Sequence, residues 1–487
     1  MRMKVALEPG LAPPPSGLPP TRNLAPRDVE TLADALLAYA AEFAPLFRRA
    51  EQRHWAFQYL QGQLLELERK SIEPMALALA DGDVQAMQQF ISVGAWDEAR
   101  LLERHQALVA DSLGDPATGV LIIDGCDFPK QGQESVGVAP QWCGALGKVA
   151  NCQASVVACY ASARGYTLVD RRLFLPERWF SAAYQDRRQR CGVPADQQPR
   201  TEPELAGELI TTLHRRGVLP FQWVTCDEHF GNNPALLDAV AAAGVYYLAE
   251  VPHPTRVWRE RPPTAVPPSR GRGRPPTRER VAPEAPAPVR VDHLAEQLAA
   301  DQWTPAVIKE GAKGPLAAEF AFVRAVAVRD ALPGPAVWVV LRRSRGETPE
   351  LKTYLSNAPA ELPAATLVWV SGMRWPVESA ILECKSELGM DHYEVRGWVG
   401  WHHHLAMTFL AHHFLVRLRL QLGEKITGAH GAPGARTAAR GAAPPPARCR
   451  NRHRPRPADP AAKLRGVLLP SPAHHPPARY LVRDVTL

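Results

Sequence analysis

The hydrophobic period of the sequence changes abruptly near residue 119, and the segments that follow restrict the folds open to the chain. Upstream, apolar residues recur at three- and four-residue spacing, which is typical of amphipathic helices. Downstream, short apolar runs such as 119–124 (GVLIID) and 221–227 (FQWVTCD) are typical of buried strands. Strand-like segments come first, and helical and strand-like segments then alternate as far as residue 251.

This order of segments favours one arrangement of the sheet. Segments 135–142, 153–160 and 166–175 follow the first strand and predict its antiparallel neighbours. Segments 221–227 and 245–251 predict parallel strands joined by crossover helices. We therefore predict an α/β fold with a ribonuclease-H-like catalytic domain, in which the first strand lies beside the strand at 221–227.

Periodicity and composition divide the remaining sequence. Helical spacing dominates before the sheet, eleven prolines and nine arginines interrupt it afterwards, and alternating apolar residues then return. The predicted organisation is a disordered segment at 1–25, an all-α N-terminal domain at 26–115, the first part of the catalytic domain at 116–251, a Pro/Arg-rich linker at 252–290, a β-rich insertion at 291–370, a catalytic helix with C-terminal helices at 371–424, and a disordered or frameshifted tail at 425–487.

The tail has no helical or strand periodicity. Pro, Ala, Arg and Gly dominate it, whereas Glu, Asp, Phe and Tyr become scarce. Two explanations are open, a disordered basic tail or translation out of frame in a GC-rich gene. We favour the second because the composition changes so abruptly, and translation of the other reading frames would distinguish the two.

Composition excludes several classes of protein. The 57 Lys and Arg residues exceed the 50 Asp and Glu residues, and the net charge of +7 favours a polyanionic partner only weakly. The eight cysteines form no CxxC pair, which indicates a reduced cytosolic protein and not a disulfide scaffold or a zinc module. Neither a signal pattern nor an apolar run of membrane-spanning length occurs, so export and membrane insertion are not expected.

Two of the predicted strands end in an acid, and a third acid follows on a predicted helix. Asp124 follows GVLII, Asp227 follows FQWVTC, and Glu378 lies in the segment RWPVESAILECKSELGM. Because the two strands are neighbours in the predicted sheet, their ends bring the aspartates together, and a helix across that edge can add Glu378. Close carboxylates repel one another unless they hold cations, and oxygen ligands suit Mg²⁺ or Mn²⁺. We therefore predict two such ions at this site, arranged for phosphodiester chemistry.

The segment around Glu378 carries a cation on each side. Good helix formers predict a helix from Ser379 to Met390. Arg374, Glu378 and Lys385 are spaced by four and seven residues, so they share one face of that helix. The spacing alone is more typical of a surface salt-bridge stripe than of a catalytic carboxylate flanked by two phosphate-binding cations.

The sequence resembles the DDE transposases of bacterial insertion sequences over roughly residues 40–424. In one group of that family the third signature is Tyr-x2-Arg-x3-Glu-x6-Lys. Arg374, Glu378 and Lys385 match this spacing, whereas Ser371 stands at the Tyr position. Further similar blocks are 69–77 (RKSIEPMAL), 123–153 (IDGCDFPKQGQESVGVAPQWCGALGKVANCQ), 221–231 (FQWVTCDEHFG) and 389–407 (GMDHYEVRGWVGWHHHLAM).

The resemblance implies specific roles. Asp124, Asp227 and Glu378 would be the catalytic, metal-binding acids, and Arg374 and Lys385 would bind DNA phosphates at the transposon end. The reaction would be hydrolytic nicking at the ends of the element, followed by attack of the freed 3′-hydroxyl on target DNA. The implied partner is double-stranded DNA, both terminal inverted repeats and target, bound by a homodimer in the bacterial cytoplasm at the nucleoid. From the residues alone, the helical domain at 26–115 is predicted to bind DNA through the basic edges formed by Arg48, Arg49, Arg53, Arg69 and Lys70, although ordinary solvated helix faces explain each of these residues at least as well.

Two other functions remain open from the sequence. One is a catalytically inactive or domesticated DNA-binding remnant of a transposase, which the aberrant tail favours and the intact acid triad opposes. The other is a different ribonuclease-H-like nuclease, acting on RNA–DNA hybrids or junctions. The β-rich insertion and the Arg–Glu–Lys helix oppose it, since a simple nuclease needs neither.

Several residues near these acids have a simpler interpretation. We expect Asp127 to be a turn residue, and we expect Glu383 to point away from Glu378, since five residues separate them on the helix. Glu228 adjoins Asp227 and could be mistaken for a ligand. The histidines 402–404, 412 and 413 suggest zinc, but three consecutive helical residues face different directions, so core packing or DNA contact is the better prediction. Trp142, Trp398 and Trp401 could stack on bases, but core packing is the better prediction.

Overall fold

The fold is that of a computed structural model, which describes residues 26–268, 276–311, 314–346 and 348–428. The predicted disordered segment 1–25 and the predicted tail beyond residue 428 lie outside the described residues. The described chain is mixed α/β, as predicted.

Thirteen α-helices occur in the described ranges, and five of them precede the first strand. They are α1 (Pro26–Ala41), α2 (Ala50–Leu64), α3 (Ile72–Ala78), α4 (Val84–Ser92), α5 (Glu98–Leu113), α6 (Gln185–Arg190), α7 (Glu202–Arg216), α8 (Glu228–Gly231), α9 (Pro234–Ala242), α10 (Val291–Glu296), α11 (Ala364–Ser371), α12 (Trp375–Leu388) and α13 (Trp398–Gly428).

Fourteen β-strands occur in the same ranges, and the later helices lie between groups of them. They are β1 (Val120–Pro129), β2 (Ala139–Cys143), β3 (Lys148–Ser162), β4 (Gly165–Leu173), β5 (Trp223–Cys226), β6 (Tyr246–Glu250), β7 (Arg256–Trp258), β8 (Thr264–Ala265), β9 (Arg280–Val281), β10 (Val289–Arg290), β11 (Thr304–Gly311), β12 (Gly314–Arg329), β13 (Leu332–Ser344) and β14 (Leu351–Ser356).

The central strands pair in the predicted order. β1 lies between β3, its antiparallel neighbour, and β5, its parallel neighbour, and β5 in turn pairs in parallel with β6. β4 and β2 both pair antiparallel with β3. The prediction that the first strand adjoins the strand before Asp227 is therefore confirmed, with Ile123 opposite Cys226.

The strands after residue 251 extend the same sheet. β14 pairs with β6, and β13, β12, β7 and β10 follow outward, while β11 pairs with the other part of β12. A free edge of β6 would expose unpaired N–H and C=O groups, and β14 covers that edge. The range 252–290, predicted as a linker, also contributes to the sheet, because β7 and β10 pair with each other and β7 pairs with β12.

The N-terminal helices share a core with the C-terminal helix α13. Tyr39 donates from its hydroxyl to the backbone oxygen of Leu410 at 3.0 Å, and Gln63 donates to the hydroxyl of Thr408 at 2.7 Å. Both contacts are buried, and every residue of α13 between Leu405 and Phe414 is buried. This helix therefore anchors the N-terminal helices to the sheet. None of the helices that the structure describes is both long and apolar enough to cross a membrane.

Candidate active site

Two neighbouring parallel strands position the first two predicted acids. Asp124 is the fifth residue of β1, and Asp227 follows β5 directly and caps the N-terminus of α8. The Asp227 carboxylate accepts hydrogen bonds from the backbone N–H groups of His229 at 3.1 Å and Phe230 at 3.3 Å. Such caps are typical of Asp, because its short carboxylate reaches the free N–H groups of the first turn.

The strand that carries Asp124 continues past it. β1 extends to Pro129 because Cys126 and Phe128 are apolar and buried, and they maintain the alternating pattern. Asp127 is therefore a strand residue, and its prediction as a turn residue is wrong. Its carboxylate accepts a hydrogen bond from the backbone N–H of Gly144 at 2.5 Å.

Helix α12 presents Glu378 from its first turn. Pro376 stands at the start of the helix, where its missing N–H costs nothing, and Gly389 adopts a left-handed conformation (φ 68°) immediately after the helix. Val377 and Ala380, on either side of Glu378 in the sequence, are completely buried, whereas the Glu378 side chain remains 55% exposed. The helix is thus fixed by its apolar face and leaves this carboxylate at the surface.

Arg374, at the N-cap of α12, connects the acids. Its Nη2 donates to Glu378 at 2.5 Å, its Nη1 lies 3.8 Å from Asp124, and its Nε lies 3.5 Å from Glu250. Each nitrogen of one guanidinium therefore faces a different carboxylate. The side chain is only 24% exposed, so water screens these contacts weakly.

Asp124 is the most perturbed of the acids. Its pKa is raised to about 7, because burial and the neighbouring charges of Asp227 and Glu378 raise it more than Arg374 and the N–H of Gly125 lower it. Because Asp227 and Glu378 both raise the pKa of Asp124, each of them lies within electrostatic reach of Asp124. An acid with such a pKa is costly to keep ionised unless another cation joins the site.

Glu250 is a fourth acid that the sequence reasoning missed. It ends β6, its side chain is 15% exposed, and Lys352 donates to its Oε1 at 3.0 Å. The signal was present, because an apolar strand ending in an acid (YYLAE) repeats the pattern that identified Asp124 and Asp227.

The described carboxylates are not arranged as ligands of a single ion. Within the described ranges, no group of three or more His, Cys, Asp or Glu side chains is arranged to hold a metal. The guanidinium of Arg374 lies between Asp124 and Glu378 and separates them. The donor set itself fits a hard divalent cation, because it consists of carboxylate oxygens with a raised pKa at Asp124.

Lys385 lies farther along α12 and contacts β1. Its Nζ donates to the backbone oxygen of Asp127 at 2.8 Å and lies 5.4 Å from the centre of the Phe128 ring. Lys385 is half-buried, and its partner Asp127 lies three residues from Asp124 on β1. Ser371, at the Tyr position of the signature, is buried, and its hydroxyl donates to the backbone oxygen of Val368 at 2.6 Å.

Glu383 points into the core on the opposite side of α12 from Glu378, as predicted. The Tyr166 hydroxyl donates to its Oε1 at 2.8 Å, and Arg419 donates to its Oε2 at 2.8 Å. The Nε2 of His412 lies 3.1 Å from the same Oε2. Burial disfavours the charge of Glu383, yet these partners hold its pKa at about 2.

The five histidines of α13 are buried and bonded within the core. The Nδ1 of His404 lies 2.7 Å from the hydroxyl of Tyr59, and the ring of His403 stacks on Trp96 with 3.6 Å between centroids. Burial lowers the pKa of His404 to about 3, so it stays neutral. Their contacts are those of core residues.

The predictions for Lys70 and Trp142 differ from the structure, whereas the predicted core position of Trp401 is confirmed. Lys70, predicted as a basic edge, is 3% exposed, and its Nζ donates to the backbone oxygens of Gln63 and Glu387. Trp401 is completely buried, whereas Trp142 is 64% exposed beside the end of β2. Sequence spacing does not reveal such differences, because they depend on which elements pack together.

A family model described as DDE superfamily endonuclease matches residues 42–315, which include Asp124 and Asp227 and end before Glu378. Among solved structures, the chain is similar to the crystal structure of the NurA nuclease from Sulfolobus solfataricus. The identity is 10%, the alignment covers 69% of this chain and 94% of that chain, and the TM-score is 0.24, which carries no weight for fold or function. No protein with a curated description matches the sequence.

Proposed function

Because the chain belongs to the DDE superfamily endonucleases, we propose that it is a transposase. It cleaves DNA at the ends of an insertion sequence and transfers the freed strand ends to target DNA. We also infer that the sheet from β1 to β6 is the ribonuclease-H-like domain predicted from the sequence. The family supports nuclease activity, and transposition is the finer step proposed here.

One observation supports this proposal above the others. Asp124 and Asp227 lie at neighbouring strand positions, and α12 adds Glu378 from outside the matched region, with Arg374 contacting both Asp124 and Glu378. A nuclease that only hydrolyses phosphodiesters needs no Arg–Glu–Lys helix. A transposase must also retain the cleaved end, which cations beside the acids can do by binding phosphates.

DDE superfamily endonucleases generally use divalent metal ions, and we propose two Mg²⁺ or Mn²⁺ ions here. Asp124, Asp227 and Glu378 would hold them. Such ions activate the attacking water or 3′-hydroxyl and stabilise the leaving oxygen. The protein itself would orient the DNA. Arg374 at the N-cap of α12 and Lys385 farther along the helix lie on either side of Glu378 in the sequence and would bind the DNA phosphates.

The remaining parts of the chain have proposed roles in the same reaction. The N-terminal helices would bind double-stranded DNA, and two copies of the chain would hold the two ends of the element together. The protein would act in the bacterial cytoplasm, at the nucleoid.

The test is cleavage of DNA taken from both sides of the gene. Purified full-length protein is incubated with linear DNA that carries the gene's flanking sequences, with Mg²⁺, with Mn²⁺ or with chelator. The proposal expects metal-dependent nicks with 3′-hydroxyl ends at terminal inverted repeats, followed by joining to a second DNA. Cleavage without regard to the flanking sequence would indicate a simple nuclease, and end binding without cleavage would indicate a catalytically inactive remnant.

A further inference from the structure

Arg374 occupies the space between the acids, and this has a consequence for Glu250. Its guanidinium contacts Asp124, Glu378 and Glu250 at once. We infer that Arg374 is an internal counter-ion that a divalent cation must displace, and that Glu250 is the positioning residue that retains it afterwards. This inference rests on the proposed function, since it concerns the metal site proposed there.

The three contacts of Arg374 are not equivalent. Nη1 and Nη2, at the tip of the side chain, face Asp124 and Glu378, which are two of the proposed metal ligands. Nε, nearer the helix, faces Glu250. A cation bound by the two ligands removes the partners of Nη1 and Nη2, but it leaves the contact of Nε in place. The freed tip can then bind a DNA phosphate, with two parallel N–H donors.

Glu250 is suited to hold an arginine. It ends β6, where Tyr354 of β14 pairs directly with it, so its backbone is fixed on that side of the strand. Its Oε1 is bonded to Lys352, whereas its Oε2 is buried and has no hydrogen-bond partner within the described part of the chain. That oxygen lies 3.5 Å from Nε of Arg374. A small movement of Arg374 toward Glu250 would complete a hydrogen bond and satisfy the buried oxygen.

Without Glu250, displaced Arg374 would have no carboxylate to receive it. A half-buried guanidinium that loses its anionic partners is costly. It would therefore stay between Asp124 and Glu378 and compete with the metal. Glu250 thus favours metal binding without being a ligand, and this distinguishes it from the three proposed ligands.

The test is a double-mutant cycle on Mn²⁺ binding to the full-length protein without DNA. Free Mn²⁺ is counted by electron paramagnetic resonance for the wild type, Glu250→Gln, Arg374→Gln and the double variant. Glu250→Gln is expected to weaken binding about tenfold when Arg374 is present and no more than about twofold when it is absent. Arg374→Gln alone is expected to strengthen Mn²⁺ binding, because the competing cation is gone.

Asp127→Asn is the matched control for the loss of a nearby negative charge. Asp127 lies three residues from Asp124 on β1 and is bonded to Gly144 instead of Arg374. Its replacement is expected to change Mn²⁺ binding no more than about twofold, as a screened charge does. Thermal melting without metal verifies that each variant is folded. Because Glu250→Gln also leaves Lys352 without its partner, Lys352→Met is tested beside it, and tighter Mn²⁺ binding is expected there.

Two results would overturn the inference. Equal weakening by Glu250→Gln with and without Arg374 would make Glu250 a direct ligand, and unchanged binding in Glu250→Gln would remove any role toward the metal. Failure of the proposed function gives a different result. In that case either the wild type would bind no Mn²⁺, or Asp124→Asn would bind Mn²⁺ as tightly as the wild type. DNA cleavage is not needed for any of these measurements.

Discussion

Asp124 and Asp227 directly follow Ile123 and Cys226, which are opposite one another in neighbouring parallel strands. The backbone register alone therefore brings the two acids together, although 102 residues separate them in the sequence. Their surroundings differ, because burial raises the pKa of Asp124 to about 7, whereas Asp227 is hydrogen-bonded to two backbone N–H groups of α8. A divalent cation would therefore relieve the greater electrostatic cost at Asp124.

The first prediction concerns these two acids and Glu378. Asp124→Asn, Asp227→Asn and Glu378→Gln are each expected to lower cleavage of the element's ends by about a hundredfold or more, because a lost ligand removes several kcal/mol of metal stabilisation. Binding of end DNA, measured by fluorescence anisotropy with Ca²⁺ in place of Mg²⁺, is expected to remain.

The control is Glu228→Gln, which changes an exposed acid directly beside Asp227. It is expected to cleave like the wild type. Asp227→Asn also alters the cap of α8, worth about 1 kcal/mol, so its melting temperature is measured alongside. Wild-type cleavage by any of the three variants would remove that residue from the catalytic set.

The sequence predicted the strand-end acids because the pattern is local. An apolar run followed by an acid identifies Asp124 and Asp227 without knowledge of any other contact. Glu250 has the same local pattern, but its importance comes from Arg374 of α12 and from Lys352, which reaches it when β14 pairs with β6. That pairing links residues about a hundred positions apart, and no periodicity records it.

Burial explains the other differences between sequence and structure. Asp127 was predicted as a turn residue because it lies three residues past Asp124, beyond the predicted strand end, yet Cys126 and Phe128 keep β1 regular through it. Lys70 was predicted to lie on a basic edge because of its charge. It lies instead where the chain between α2 and α3 meets the end of α12, and its Nζ donates to backbone oxygens there. In both cases the partner element decides the environment of the side chain, and the sequence does not identify the partner.

The second prediction concerns Lys385. If its charge binds a DNA phosphate, Lys385→Met is expected to weaken end binding and to reduce the slope of log affinity against log salt concentration by about one. Lys385→Arg is expected to retain most of that slope, because the charge remains. The measurement is anisotropy over a series of salt concentrations.

The alternative for Lys385 is a purely structural contact, since its Nζ already donates to Asp127 at 2.8 Å. In that case Lys385→Met would lower the melting temperature and leave the salt slope unchanged. The two roles therefore give different results in two independent measurements.

The third prediction concerns Glu383, which holds α12 against β4 and α13. Burial alone would raise its pKa, but its bonds to His412 and Arg419 hold the pKa at about 2 instead of 4.5. A shift of that size corresponds to about 3 kcal/mol of folding free energy at neutral pH. Glu383→Gln is expected to lose that amount, measured by urea unfolding at pH 7.

The pH dependence gives the sign of this effect. Because the pKa of Glu383 is lower in the folded chain, its contribution is present above about pH 4.5 and is lost as the pH falls toward 2. The difference between wild type and Glu383→Gln should therefore shrink in acid. Glu394→Gln is the control, since Glu394 forms an exposed pair with Arg69 and should contribute no more than about 1 kcal/mol. A pH-independent difference would contradict the proposed ionisation.

The fourth prediction concerns Trp142, which is exposed on the hairpin of β2 and β3. It pairs with the exposed residue Val149, and the hairpin is tied to β1 where Asp127 accepts from Gly144. Asp127 lies three residues from Asp124, about 10 Å along the strand. DNA held at the acids would therefore pass close to this indole, which can stack on a base.

Trp142→Ala is expected to weaken end binding about tenfold, because stacking on one base contributes about 1–3 kcal/mol. Trp142→Phe should retain most of the affinity, since a phenyl ring also stacks. Val218→Ala is the matched control, because Val218 is an apolar side chain that is 40% exposed after α7, outside the elements proposed to bind DNA. Anisotropy with the same end DNA measures all three variants. Equal losses in Trp142→Ala and Val218→Ala would show that exposed apolar area, and not stacking by the Trp142 indole, determines the effect.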